Sequence, residues 1–104
     1  MKLMFALLFL LVSVKTSWGL NCYACSNDAA SPAYDPSCDN PDGSTKTYDC
    51  ETCNSCGTLV YEDGKIERGV SGDAEDGECY NFDYVRYCYC THDLCNDQLC
   101  EQCQ

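Results

Sequence analysis

Twelve cysteines in a chain of 104 residues, none of them before Cys22, constrain this sequence more than any other feature. The chain opens with Lys2, an apolar run from Leu3 to Val14 and then Ser17-Trp18-Gly19. A basic start, an apolar stretch and a small-x-small site are the three parts of a secretory signal peptide. The run is also shorter than the about 20 residues a membrane-spanning helix needs. Removal of residues 1–19 is therefore expected, giving a mature chain of 85 residues that begins at Leu20 and keeps every cysteine. A chain this short buries too little apolar surface for a comfortable core, and secreted domains of this size are usually stapled by disulfides. Each bridge contributes about 2–4 kcal/mol, so several together rival the about 5–15 kcal/mol net stability of a small domain.

Charge narrows the class of partner. Loss of Lys2 and Lys15 leaves four basic residues against seventeen acidic ones, a mature net charge of −13. Nucleic acids and anionic membrane surfaces would be repelled by such a chain, whereas cationic partners and solubility are favoured. The length allows one domain.

Along the mature chain, Leu20-Asn21-Cys22-Tyr23-Ala24-Cys25 reads as a short strand entering a cysteine core. Ser26 to Thr47 is rich in Asn, Asp, Ser, Pro and Gly and reads mostly as loop, with Cys38 as its tether. Cys50, Cys53 and Cys56 return the chain to the core. Gly57 to Val70 holds two β-favouring runs around Asp63-Gly64, a dipeptide suited to a two-residue type I′ turn. That turn pairs Glu62 with Lys65, Tyr61 with Ile66, Val60 with Glu67 and Leu59 with Arg68, and so puts Leu59, Tyr61, Ile66 and Arg68 on one face. Ser71 to Glu78 is an acidic loop, and Cys79 to Cys90, carrying Tyr80, Phe82, Tyr84, Tyr87 and Tyr89, reads as a strand laid against the hairpin. No run of ten residues looks helical, and there is no internal repeat.

Three chemistries compete for Cys88-Tyr89-Cys90-Thr91-His92-Asp93-Leu94-Cys95-Asn96. Cys-x-x-Cys at 22/25, 50/53, 53/56 and 100/103, with His92 nearby, would point to zinc in a cytosolic protein. Behind a signal peptide the same spacing points to cystines, and no metal or other cofactor is expected. The His92-Asp93 pair invites comparison with secreted phospholipases A2, which carry Cys-Cys-x-x-His-Asp-x-Cys. Here only Thr91 separates Cys90 from His92, and the glycine-rich calcium loop of such enzymes is missing. An EF-hand register with Gly43 as its sixth residue would begin at Cys38 rather than at an Asp. Asp73-Ala74-Glu75-Asp76-Gly77-Glu78 has carboxylates without that spacing and reads as a solvated loop. The sole glycosylation candidate is the rare variant Asn54-Ser55-Cys56.

Leu20-x-Cys22-Tyr23-x-Cys25 at the mature start and Cys90-x-x-Asp93-Leu94-Cys95-Asn96 near the end resemble the lymphocyte antigen 6/urokinase receptor, or three-finger, domain family, which includes snake three-finger toxins. The resemblance covers residues 20–96. It implies a small all-β, disulfide-rich fold in which three β-hairpin fingers project from a cystine palm, with the final Asn tying the palm together. Residues 22 to 95 hold ten cysteines, the family number. Matching by order implies the pairs 22–53, 25–38, 50–56, 79–88 and 90–95. A cysteine usual at the end of the second finger is replaced here by Val70, which leaves 22–56 with 50–53 as the alternative. Many relatives have adjacent cysteines where Tyr89 separates Cys88 from Cys90. Cys100 and Cys103 fall in a tail, 97–104, beyond the resemblance and are open to bonding each other or an external partner. With no small-residue site and hydrophobic tail before Gln104, a freely secreted monomer without membrane insertion is expected.

What the resemblance implies about function is non-enzymatic binding to an extracellular receptor, channel or junction protein. The expected contact surface is Leu59, Tyr61, Ile66 and Arg68, with packing against the third finger as the competing role for the same residues. A venom or salivary toxin on the same scaffold is the alternative. The mixed tip Glu62-Asp63-Gly64-Lys65 and the acidic chain disfavour the cationic mode by which such toxins block nicotinic receptors. Phospholipase activity is the third reading. It requires calcium-dependent lipid hydrolysis that disappears in His92→Ala.

Overall fold

The structure, a computed structural model, describes residues 19–98. The expected signal segment, but for Gly19, and the cysteines at 100 and 103 lie outside the described residues. The fold is all-β: seven strands and two short 3-10 turns among the described residues. Strands β1 (Leu20–Tyr23) and β3 (Thr47–Cys50) form a two-stranded antiparallel sheet, with Leu20 opposite Cys50 and Tyr23 opposite Thr47. Strands β2 (Cys25–Ser26), β4 (Ser55–Tyr61), β5 (Ile66–Ser71), β6 (Cys79–Phe82) and β7 (Val85–Cys90) form a five-stranded sheet in the order β2-β5-β4-β7-β6. No helix among the described residues is long and apolar enough to cross a membrane.

A cluster of cystines stands in for an aliphatic core. Disulfides join Cys22–Cys56, Cys25–Cys38, Cys50–Cys53 and Cys90–Cys95. Of the two readings for the middle cysteines, the structure has 22–56 with 50–53, and the order-based pairs 22–53 and 50–56 are not formed. The sequence interval explains this: Cys50 and Cys53 flank a turn that closes directly, while Cys56 already lies inside β4, its Cα 5.5 Å from that of the buried Cys22. Cys79 and Cys88 are both disulfide-bonded. Their sulfurs nevertheless stand 3.5 Å apart, well beyond the about 2.05 Å of a cystine. They are therefore not bonded to each other, which corrects the expected 79–88 pair. Such a set of bridges fits an oxidising compartment.

The central hairpin departs from the expected register. The Tyr61 amide donates to the Lys65 carbonyl at 2.9 Å and the Gly64 amide to the Tyr61 carbonyl at 3.0 Å, so the loop has three residues, Glu62, Asp63 and Gly64. Only Gly64 takes a positive φ, +95°, while the Asp63 carboxylate accepts the Lys65 amide at 3.0 Å. An aspartate that can hold the turn by its own side chain removes the need for a second left-handed residue. The pairs become Val60 with Ile66, Leu59 with Glu67 and Thr58 with Arg68. A slip of one residue moves Ile66 and Arg68 to the face opposite Leu59 and Tyr61.

The aromatic segment is a hairpin rather than one strand. Asp83 and Tyr84, at φ 54° and 64°, make a left-handed two-residue turn between β6 and β7. That geometry is costly for a tyrosine, and the absence of glycine is what hid the turn in the sequence. Strand β7 then pairs along β4 from Cys56/Cys90 to Tyr61/Val85.

The segment between β2 and β3 is loop, as its composition implies, but an organised one. A 3-10 turn at Pro36–Asp39 begins where Asp35 caps it. The buried Asp35 carboxylate accepts the Ser37 hydroxyl at 2.6 Å, the Ser37 amide at 3.0 Å and the Lys46 amide at 3.1 Å. These donors, the Ser37 hydroxyl foremost, hold its acidity below the ordinary carboxylate range.

Candidate functional site

Directly paired residues in an antiparallel sheet point to the same side. One side of the five-stranded sheet therefore carries Cys56, Thr58, Val60, Ile66 and Arg68, and the other carries Gly57, Leu59, Tyr61, Glu67 and Gly69 with the alternate residues of β6 and β7.

The first side is closed over Cys56, Thr58, Ile66 and Arg68. Arg68 is 4 % exposed, and its guanidinium donates to the carbonyls of Cys38 (2.8 Å), Asn96 (2.8 Å), Asp39 (3.4 Å) and Gln98 (3.4 Å). Burial lowers its pKa, opposed by the nearby carboxylates of Asp97 and Asp39. Ile66 is buried beside it in β5. The two residues are thus packing elements, so the four-residue contact face expected from the sequence does not exist: only Leu59 and Tyr61 reach the other side.

Asn96 is a hub in this closed side. Its amide nitrogen donates to the carbonyls of Tyr23 (3.0 Å), Gly57 (3.0 Å) and Gly69 (3.4 Å), and its oxygen accepts the Tyr23 amide at 3.0 Å. One side chain thereby ties β1, β4 and β5 together. His92 and Asp93 face different partners. The Asp93 carboxylate accepts the Asn21 amide at 2.9 Å, whereas exposed His92 lies 3.9 Å from the carboxylate of Asp76. The described residues contain no group of three or more His, Cys, Asp or Glu positioned to hold a metal ion.

The second side is open and aromatic. Leu59 pairs with Glu67 on one flank and Tyr87 on the other, and Tyr87 pairs with Tyr80. Gly57 sits between Gly69 and Tyr89 in the next row, and Tyr61, Val85 and Phe82 form a third. The Tyr80 and Tyr87 rings stack at 4.9 Å, and the Tyr80 and Tyr89 hydroxyls stand 3.3 Å apart. Burial, then the hydrogen bond with Tyr80, raises the Tyr89 hydroxyl to about 12, with Glu78 adding negative charge nearby. The Tyr61 hydroxyl donates to Glu67 at 3.2 Å. Phe82 and Tyr84 remain 66 % and 81 % exposed.

An open trough of about 360 Å³ runs across this side over Gly57, Leu59, Glu67, Gly69, Tyr87 and Tyr89, with Arg68, Val70 and Ser71 of β5 completing its lining. Two paired glycines lie along it, Gly57 buried and Gly69 half-buried. A Cβ at Gly57 would meet the Tyr89 ring at 3.2 Å, so that glycine lets the ring lie over the strand, whereas a Cβ at Gly69 would meet nothing within 4 Å. Tyr80, Tyr87 and Tyr89 were legible as an aromatic run, but their common face with Glu67 depends on the hairpin turn and on the register of β5. Equal parity of Val85, Tyr87 and Tyr89 along one strand was the usable signal. Comparison with protein-family models, with curated proteins and with solved structures returns no match to this chain.

Proposed function

We propose that the chain is a secreted, non-enzymatic binding protein of the three-finger type that acts on an extracellular receptor, channel or junction protein. The observation that carries this reading is the open aromatic side of the sheet, held in place by a cystine cluster on the other side. Three strand pairs, β1/β3, β4/β5 and β6/β7, leave that cluster, and Asn96 ties its strands together. Exposed rings on a rigid frame are suited to making a partner's contact area with little ordering cost. Separation of His92 from Asp93 in hydrogen bonding supports a binding role over hydrolysis.

Saturable binding of the labelled, oxidised protein to intact cells tests the reading. The expected result is binding that disappears when the labelled protein is reduced or when the cell surface is stripped by protease. Absence of saturable binding across epithelial, neuronal and blood cells would count against it. Calcium-dependent phospholipid hydrolysis lost in His92→Ala would replace it with an enzymatic role.

A further inference from the structure

The trough over Gly57 and Gly69 combines three properties that select a class of guest. Tyr87 and Tyr89 line it, Glu67 stands across Leu59 from Tyr87, and at Gly69 there is open space where a Cβ would meet nothing within 4 Å. The Tyr61 hydroxyl holds one Glu67 oxygen at 3.2 Å, which fixes the carboxylate. Glu78 adds charge beside Tyr89, and the chain as a whole has a formal charge of −11. The same side already receives a cation of its own: the Lys65 ammonium lies 5.4 Å from the centre of the Tyr61 ring. Aromatic faces next to a carboxylate attract cations.

We propose that this trough seats an arginine side chain presented by an extracellular partner protein. The trough is open rather than enclosed, which suits a side chain projecting from another surface better than a small molecule needing burial on all sides. Tyrosine rings beside a carboxylate, with open space over Gly69, fit the planar guanidinium, which stacks on aromatic rings and pairs with carboxylates in a way a tetrahedral ammonium does not. This assignment rests on the binding role proposed above and adds the chemistry of the contact.

The test uses the oxidised, isotope-labelled protein and an acetylated, amidated peptide of four Arg-Ser repeats, with lysine and citrulline counterparts. Binding is followed by amide shifts in NMR titration at near-physiological salt. The expected result is saturable shifts centred on Gly57, Gly69, Tyr87 and Tyr89, with the arginine peptide bound about tenfold more tightly than either counterpart. Gly69→Leu, which fills open space, and Glu67→Gln should each weaken binding about tenfold, while Glu51→Gln on the other sheet leaves it unchanged. Gly69→Leu is read only if its spectrum is folded; Glu67→Gln carries the test otherwise. Shifts spread over Asp73 to Glu78, equal binding of the lysine peptide, or indifference to both variants would overturn the assignment. Cell binding that persists while the peptide fails would sink the arginine site alone; loss of both would remove the binding role as well.

Discussion

The two sides of the five-stranded sheet are built from alternate residues of the same strands, yet they do different work. On the closed side Cys56, Thr58, Ile66 and Arg68 are buried, and the Arg68 guanidinium and Asn96 amide donate to backbone carbonyls. On the open side Leu59, Tyr61, Tyr87 and Tyr89 are only partly covered, and Tyr80 and Phe82 are exposed. Stability in a chain this short is concentrated where cross-links and buried hydrogen bonds coincide. The residues left over on the other side are thereby free to vary in chemistry without threatening the fold, which is what a contact surface requires.

The contrast predicts unequal consequences for substitution. Replacing Cys22 and Cys56 together by Ala should cost the most, about 4 kcal/mol for a bridge of 34-residue separation, seen as a lost or greatly shifted denaturant midpoint. Arg68→Ala strands the carbonyls of Cys38 and Asn96 and should cost about 3 kcal/mol by the same measurement. Gly64→Ala forces a side chain into the left-handed region at φ +95° and should cost about 1 kcal/mol. Glu67→Gln on the open side should stay within about 0.5 kcal/mol of the parent, and a larger loss would erase the distinction between the sides.

Acid provides a separate probe of the loop that packs against the cystine cluster. The folded-state acidity of Asp35 is stronger than that of an ordinary aspartate because the Ser37 hydroxyl, then amides, stabilise its charged form. A depressed carboxyl pKa contributes stability that is present above the unfolded value, about 4, and is lost as pH falls through the folded value. Melting temperature should therefore drop below about pH 4 in the parent, and Asp35→Asn should show a shallower drop. An unchanged acid limb in the variant would assign that sensitivity to other carboxylates.

Cysteine density and the β-favouring runs made the all-β, disulfide-stapled character legible, and the Asp63-Gly64 turn was located correctly along the chain. Its type was not. Asp-Gly serves two-residue and three-residue loops alike, and the choice rests on whether the Asp63 carboxylate takes the Lys65 amide, a contact that composition does not encode. That single choice moved Ile66 and Arg68 from a candidate contact face into the core. Arg68 also looked like a surface charge because its partners, carbonyls of Cys38 and Asn96, are 30 and 28 residues away in sequence. The turn at Asp83-Tyr84 was invisible for a different reason: Asp tolerates positive φ, but Tyr84 does not favour it and no glycine marks the site, so only its pairing partners reveal it.

Register is the claim on which both sides depend, and NMR of the oxidised protein reads it directly. In an antiparallel ladder the non-hydrogen-bonded pairs bring their α-protons close together. The structure predicts strong α-proton cross-peaks between Val60 and Ile66 and between Thr58 and Arg68. Cross-peaks between Tyr61 and Ile66 and between Leu59 and Arg68 would instead return Ile66 and Arg68 to the face of Leu59 and Tyr61, and would contradict the division into a closed side and an open side.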